Sequence, residues 1–380
     1  MVMDMDKYRD IAPYKGKDFE EKFARLMTHT DEIAGFLGAV SSTPGDQAHM
    51  QKVIQTLQSL AVQVHSYTDF QKIFTAGFIV PAIAKSSVRN FTTSGADKLD
   101  PNKAYLFISN HRDIVLDCTF ADYALLLAGK PLCEMAVGDN LMQSEFVGDL
   151  LRLNGGIIVK RDLPMREKYK ETVRLSEYFV SSVTEENTSI WVAQKSGRSK
   201  DGIDETHPAI IKMLYISQKS KGISFTDLIK KVNIVPISIS YQHNPNDINM
   251  GREEVAKAEK GSYTKRKYED VISMVKGLKG FKGDVHVAFG EPLTGDYNTP
   301  DEVAKAVDHQ IHKNYKLYDT NYFAYDFLAG IDENKDKYAE LDTEKFLGRL
   351  SHLSPSVRDF VLASYANPVR NYLKAIEEEA

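Results

Sequence analysis

Residues 107–120 read FISNHRDIVLDCTF. An apolar stretch leads into Asn110-His111, and a run with helical spacing follows, so the histidine stands where a strand hands over to a helix. In an α/β sheet that is the carboxyl edge, where active sites collect. His111-Arg112-Asp113 is also the tripeptide that opens a protein-kinase catalytic loop. A kinase would add an Asn for its second Mg²⁺, a glycine-rich phosphate loop upstream and an Asp-Phe-Gly downstream. Position 118 is Cys, no GxGxxG precedes the loop and DFG does not occur, so the kinase reading fails.

Working outward, the chain alternates short apolar strands with helical stretches. AYLFISN is followed by TFADYALLLAG, GGIIVK by the long helix REKYKETVRLSEYFVSSV, SIWVAQ by a helix around PAIIKMLYISQ, and then comes NIVPISISY. Strands separated by helices of this length predict an α/β fold with a largely parallel central sheet and flanking helices. VHVAFGEPL reads as a last strand after a lysine-rich segment, 257–282. Upstream, EEKFARLM, DEIAGFL and QKVIQTLQSLAVQV space apolar residues three and four apart, which predicts helices, with turn signals at STPGD. Beyond Thr299 the pattern is helical again, including DEVAKAVDHQIHKNY and PVRNYLKAIEEE. The expected organisation is a helical N-terminal region (1–88), an α/β domain (89–299) and a helical C-terminal region (300–380).

Composition sets the outer limits. With 380 residues and 42% apolar residues the chain can bury at least one large core. A net charge of −5 argues against a protein that coats nucleic acid. Only two cysteines occur, Cys118 and Cys133, with no CxxC, which points to neither a disulfide framework nor a zinc site and fits a reducing cytoplasm. The charged amino terminus does not read as a secretory signal. The longest uncharged apolar run, IFTAGFIVPAIA (73–84), is too short to cross a bilayer as a helix. It reads as a core helix kinked at Pro81, or else as an interfacial helix that seats the protein on a membrane.

A histidine with aspartates within a turn or two can hold one tautomer by a hydrogen bond and take a proton from a hydroxyl. Asp113 and Asp117 both lie within reach of His111; Asp117 is the preferred partner and Asp113 the alternative, its side chain placed to cap the first turn of the helix. Three further stretches end strands on the same expected edge. Two are basic: Lys160-Arg161 after GGIIV, and Ser196-Gly197-Arg198-Ser199-Lys200 in KSGRSKDG. Glycine beside arginine lets the backbone approach an anion while the guanidinium forks onto it, as a phosphate requires. The third, around Pro236 in NIVPISI, offers shape and no charge. Cys118 could suggest a thiol nucleophile, but it sits inside an apolar helical run where a small buried residue is expected.

The order of these stretches resembles the glycerolipid acyltransferases, the family of glycerol-3-phosphate and lysophosphatidate acyltransferases, over roughly residues 90–293. FISNHRDIVLD looks like that family's NH-x4-D block, GGIIVKR like its second block, IWVAQKSGRSKDG like its FPEGTRS or EGGRSRTG block, and NIVPISISY like its VPI strand. The likeness is greatest to a bacterial branch with NHRDI-x2-D and a Gln-containing AQ-x2-GR block. Two departures stand out. Five residues separate His111 from Asp117 where the family has four, and the family's glutamate before glycine is replaced by Lys195 or Ser196, depending on register.

The resemblance implies that His111 and an Asp are the catalytic pair, with Lys160, Arg161 and residues 196–200 around the acceptor's phosphate and Pro236 at a strand end or acyl pocket. It implies transfer of a fatty acyl group from a thioester, acyl-CoA or acyl-carrier protein, to a hydroxyl of glycerol 3-phosphate or a lysophospholipid, with no metal and no cofactor beyond that co-substrate. It places the protein in the cytoplasm, peripheral on the inner membrane face, with the membrane surface and acyl-carrier protein as partners and no nucleic acid. Two rivals use the same residues: acylation of an amine to give an aminolipid, and a silent lipid-binding protein on the same fold. The lysine-rich segment 257–282 reads first as a solvated face, second as a dock for anionic headgroups or an acidic carrier protein.

Overall fold

A computed structural model of the chain describes residues 4–40 and 47–379. The turn signals at STPGD lie outside the described residues. Seven strands form one sheet: β1 (Val88–Ser94), β2 (Leu106–Ser109), β3 (Glu134–Gly138), β4 (Gly156–Val159), β5 (Ile190–Ala193), β6 (Ile234–Tyr241) and β7 (Gly283–Phe289), in the order β1-β7-β6-β2-β5-β3-β4. Every neighbouring pair is parallel except β6 with β7. The largely parallel sheet read from the sequence is therefore present.

Strand alternation assigns the two faces. Phe107 of β2, Trp191 of β5 and Val235, Ile237, Ile239 and Tyr241 of β6 belong to one buried cluster. Leu106 and Ile108, Ile190 and Val192, and Ile234 belong to the other. Helices from the N-terminal region cover the first face: Phe19, Phe23, Phe70, Phe74, Val80 and Ile83 join its cluster. The second face is covered by the helices Met165–Thr184, Pro208–Lys219 and Pro300–Asn314, through residues such as Tyr178, Phe179, Ile211, Leu214 and Val307. A third cluster, with Phe323, Phe346, Val361 and Tyr365, lies among the helices near the carboxyl end.

Two strands escape the sequence pattern. β1 reads VRNFTTS, an edge strand with mostly exposed side chains and no apolar run to mark it. β3 opens on Glu134, which reads as polar although it is buried; Tyr178 Oη donates to its carboxylate at 2.6 Å and Lys15 pairs with it at 3.0 Å. The apolar run at 73–84 spans two helical forms, a wide π-helix over Gln71–Ile79 and an α-helix over Val80–Ser87 with Pro81 in its first turn. The two forms run on without a break, Val80 N donating to Thr75 O, so Pro81 stands inside one helical stretch and has no amide to offer the turn before it. Phe74, Val80 and Ile83 of this segment are buried against the sheet. No helix among the described residues is long and apolar enough to cross a membrane.

Candidate active site

β2 ends at Ser109, and its neighbour in sequence does not leave the sheet at once. The Asn110 amide side chain takes over the ladder, accepting from Ile239 N at 2.7 Å and donating to Ile239 O at 3.0 Å. A side chain that imitates a backbone pair lets the main chain turn outward while β6 stays satisfied. His111 follows at the turn, and Ser199 N donates to its carbonyl at 2.6 Å. The next helix, Leu116–Leu127, begins only after a turn at Ile114-Val115. That turn absorbs the fifth residue between His111 and the aspartate.

Asp117 lies in the first turn of that helix and folds back over the loop. Its Oδ2 sits 2.8 Å from His111 Nδ1 and accepts from Arg112 N at 2.5 Å and Asp113 N at 2.9 Å, while its Oδ1 accepts from Tyr241 Oη at 2.7 Å. Asp117 is wholly buried, whereas His111 keeps one edge open. An acceptor on Nδ1 selects the tautomer with the proton there and leaves Nε2 free to take a proton from a ligand. Trp191 meets the imidazole edge-on with ring centroids 5.8 Å apart.

Asp113 does something else. Its Oδ1 accepts from Val115 N at 3.0 Å and Leu116 N at 2.9 Å, so it caps the helix start. Its carboxyl is buried, and desolvation, followed by the charge of Asp117, raises its pKa. Arg112, also buried, pairs with Asp204 and reaches Ser199 O at 3.5 Å, which ties this loop to the loop after β5.

His111 opens onto a cavity of about 430 Å³ at the carboxyl edge of the sheet, lined also by Arg161, Ser196, Gly197, Arg198 and Lys200. Four of the basic-block positions therefore converge on the histidine from after β5, and one from after β4. Gly197 has φ +82°, the left-handed region that a glycine adopts without strain. Arg161 lies against Gly138, where an added Cβ would come within 2.5 Å of its Nε. Arg198 presents a buried Nη1 with no hydrogen-bond partner. Lys200 is instead held by Glu253 at 2.5 Å and Glu254 at 2.8 Å.

The other expected residues lie elsewhere. Lys160 pairs with Asp10 at 2.5 Å and Glu171 at 3.5 Å. Ser199 is buried, with its backbone holding His111 and Arg112. Pro236 sits within β6 opposite Ile108, and by alternation on the face away from Trp191 and Tyr241. Cys118 touches the cavity, but burial pushes its thiol up to about 12 and it donates to Val115 O at 3.3 Å. Among the described residues no three His, Cys, Asp or Glu side chains are grouped to hold a metal ion.

Beside this cavity lies a second one of about 540 Å³ on the other face of the sheet. The two share Ala136, Gly138, Arg161, Ala193, Lys195 and Ser196 as a common lip. Its deeper wall is apolar, with Ile158, Leu175, Phe179, Val192, Ile210 and Met213.

Residues 90–240 match the family model described as Acyltransferase. The matched segment takes in the strand-end histidine, both basic blocks and most of β6. Comparison with curated proteins gives no match. Among solved structures the chain is similar to the 1-acyl-sn-glycerophosphate acyltransferase PlsC of Thermotoga maritima, at 15% identity and a TM-score of 0.35, covering 77% of this chain and 94% of that one.

The sequence reading missed four contributors. Tyr241 closes the NIVPISISY strand on the same face as Ile237 and Ile239, and period-2 alternation would have placed it there. Trp191 is the single tryptophan of the chain, one residue into β5. Glu253 and Glu254 come from the helix Asp247–Lys260, far along the sequence, and carried no signal.

Proposed function

We propose that this acyltransferase moves a fatty acyl group from an acyl-CoA or acyl-carrier-protein thioester to a hydroxyl of glycerol 3-phosphate or a lysophospholipid. The observation that carries the proposal is the His111–Asp117 pair facing the same cavity as Arg198, whose buried Nη1 has no hydrogen-bond partner. His111 Nε2 removes the hydroxyl proton as the oxygen attacks the thioester carbonyl, and Asp117 stabilises the imidazolium that forms. When the tetrahedral intermediate collapses, the carbon–sulfur bond breaks and the imidazolium returns its proton to the leaving thiolate. Arg198, with Arg161 on the same cavity, takes the acceptor's phosphate, because a guanidinium fork is matched by a phosphate's bidentate oxygens. The acyl chain passes over the lip at Gly138 and Ala193 into the apolar cleft on the far face of the sheet.

An amine acceptor is the second reading, since Glu253, Glu254 and Asp270 also line the catalytic cavity. Each of these carboxylates is already paired with a lysine: Glu253 and Glu254 with Lys200 and Lys257, Asp270 with Lys265. Among the described cations that line the cavity, Arg161, Lys195 and Arg198 form no ion pair, which favours an anionic acceptor. The purified protein, incubated with labelled acyl-CoA or acyl-carrier protein and a panel of glycerol 3-phosphate, lysophosphatidate and amino-acid lipids, decides by product mass. A product from the amino acceptors alone overturns the phosphate reading, and no product from any pair overturns the enzymatic one.

A further inference from the structure

We propose that the rim of the catalytic cleft is the protein's seat on an anionic membrane surface, formed by two separate lips. The proposal rests on the reading above that the acceptor or product is a lipid; the surface itself is read from exposure and charge. One lip is the start of the helix Met165–Thr184, whose Lys168 lines the far cavity. The other is the segment running from Lys265, which lines the catalytic cavity, to Phe281 ahead of β7. Both leave the carboxyl edge of the sheet, one after β4 and one just before antiparallel β7.

Each lip combines two features that a soluble surface does not need. Large apolar side chains stand out into solvent: Met165 is 89% exposed and Tyr169 60% on one lip, Ile272 57% and Phe281 59% on the other. Cations stand among them, and of the described residues neither Arg166 and Lys170 on the first lip nor Arg266 and Lys267 on the second forms an ion pair. They do so on a chain whose net charge is −5, so the positive character is local. Apolar side chains that enter the headgroup boundary, framed by cations that meet anionic headgroups, are the requirements for lying on a membrane without crossing it. An acidic carrier protein would be drawn by the cations alone. The exposed Met, Tyr, Ile and Phe side chains favour the lipid surface as occupant, and a seat around the cleft mouth would deliver a lipid to His111 without crossing water.

The test is co-sedimentation of the full chain with phosphatidylcholine vesicles, with and without phosphatidylglycerol. Three double variants go beside wild type, M165S/Y169S, I272S/F281S and R266E/K267E, each checked for an unchanged unfolding midpoint. Acyl transfer to a water-soluble or detergent-dispersed acceptor is measured in parallel, which separates failure of the seat from failure of the catalytic reading. Wild type should pellet with the anionic vesicles and much less with neutral ones, and each variant should lose about tenfold or more in vesicle affinity while soluble transfer persists. Wild type remaining in the supernatant, or all three variants pelleting like wild type, overturns the proposal. So does an R266E/K267E variant that pellets normally yet loses transfer only from acyl-carrier protein, which would assign the surface to the carrier.

Discussion

Asp117 reaches His111 because the helix behind it starts late: the turn at Ile114-Val115 takes up one residue, and the carboxylate folds back onto the amides of Arg112 and Asp113. Asp113, nearer in sequence, spends its oxygen on the amides of Val115 and Leu116. The two aspartates therefore separate by experiment. Asp117→Asn should keep the fold but present an amide to Nδ1, favour the wrong tautomer and cut turnover by several orders of magnitude. Asp113→Asn should retain the capping oxygen and so keep both stability and turnover largely unchanged. Steady-state rates and denaturant melts of both variants check this, and the reverse pattern would assign the pairing to Asp113. For Arg198, whose buried Nη1 lacks a partner, replacement by Ala should raise the acceptor's KM with the donor's nearly unchanged. The loss should be worth about 1.5–3 kcal/mol, a charge-assisted contact. An equal rise for both substrates would make Arg198 a structural residue.

Between elements, the loop that carries His111 is held by neighbours that are distant in sequence. The helix Glu269–Lys279 meets it at Gly277, where an added Cβ would stand 2.0 Å from Asp113 Oδ2. Below it, the buried Lys282 donates to Ser87 Oγ at 2.9 Å, Leu278 O at 3.3 Å and Gly280 O at 2.8 Å, which satisfies the carboxyl end of that helix. Gly277→Ala should thus push Asp113 off its cap, cost about 1–3 kcal/mol as overpacking does, and lower kcat through the displaced loop. Wild-type turnover and melting in that variant would mean that the helix yields and the loop does not. On the other side, the helix Pro355–Glu377 clamps the loop after the Gly-Arg-Ser block, with Asn367 Nδ2 donating to Asp201 O at 2.7 Å and Asn371 Nδ2 to Gly202 O at 3.0 Å. Pro368 inside that helix has no amide for Ser364 O, and Gly202 packs on this carbonyl.

At the scale of the molecule, the N-terminal helices and the sheet share one core, and buried polar groups stitch them together. Asp122 is one such group: its carboxylate accepts from Cys133 N at 3.0 Å ahead of β3 and from Gln71 Nε2 at 3.1 Å in the π-helix. Burial pushes its carboxyl up to about 7. The unfolded chain releases that proton near the ordinary value of about 4 and the folded chain holds it to about pH 7, so between these values the unfolded state binds fewer protons. This group's contribution is complete below about pH 4 and is lost as pH rises through about 7. Denaturant unfolding at pH 5 and pH 8 should show wild type losing stability across that window and Asp122→Asn losing less. Identical losses in both would remove Asp122 as the cause.

The sequence by itself determined the class of fold, the strand-end position of His111 and the order of the basic blocks, because apolar periodicity and short-range spacing are properties of neighbours along the chain. It also carried the preference for Asp117, whose Oδ2 lies 2.8 Å from His111 Nδ1 in the structure. It did not carry β1 or β3, since an exposed edge strand and a strand that opens on a buried glutamate both lack the apolar signature of burial. Only the tertiary structure decided which cations face the histidine. Lys160 and Lys200 read like Arg161 and Arg198 in sequence, yet Asp10 and Glu171 hold the first pair member aside and Glu253 and Glu254 neutralise the other. A charge is free or spent according to what lies within a few ångströms of it, and for these residues that was set by segments up to 150 positions away.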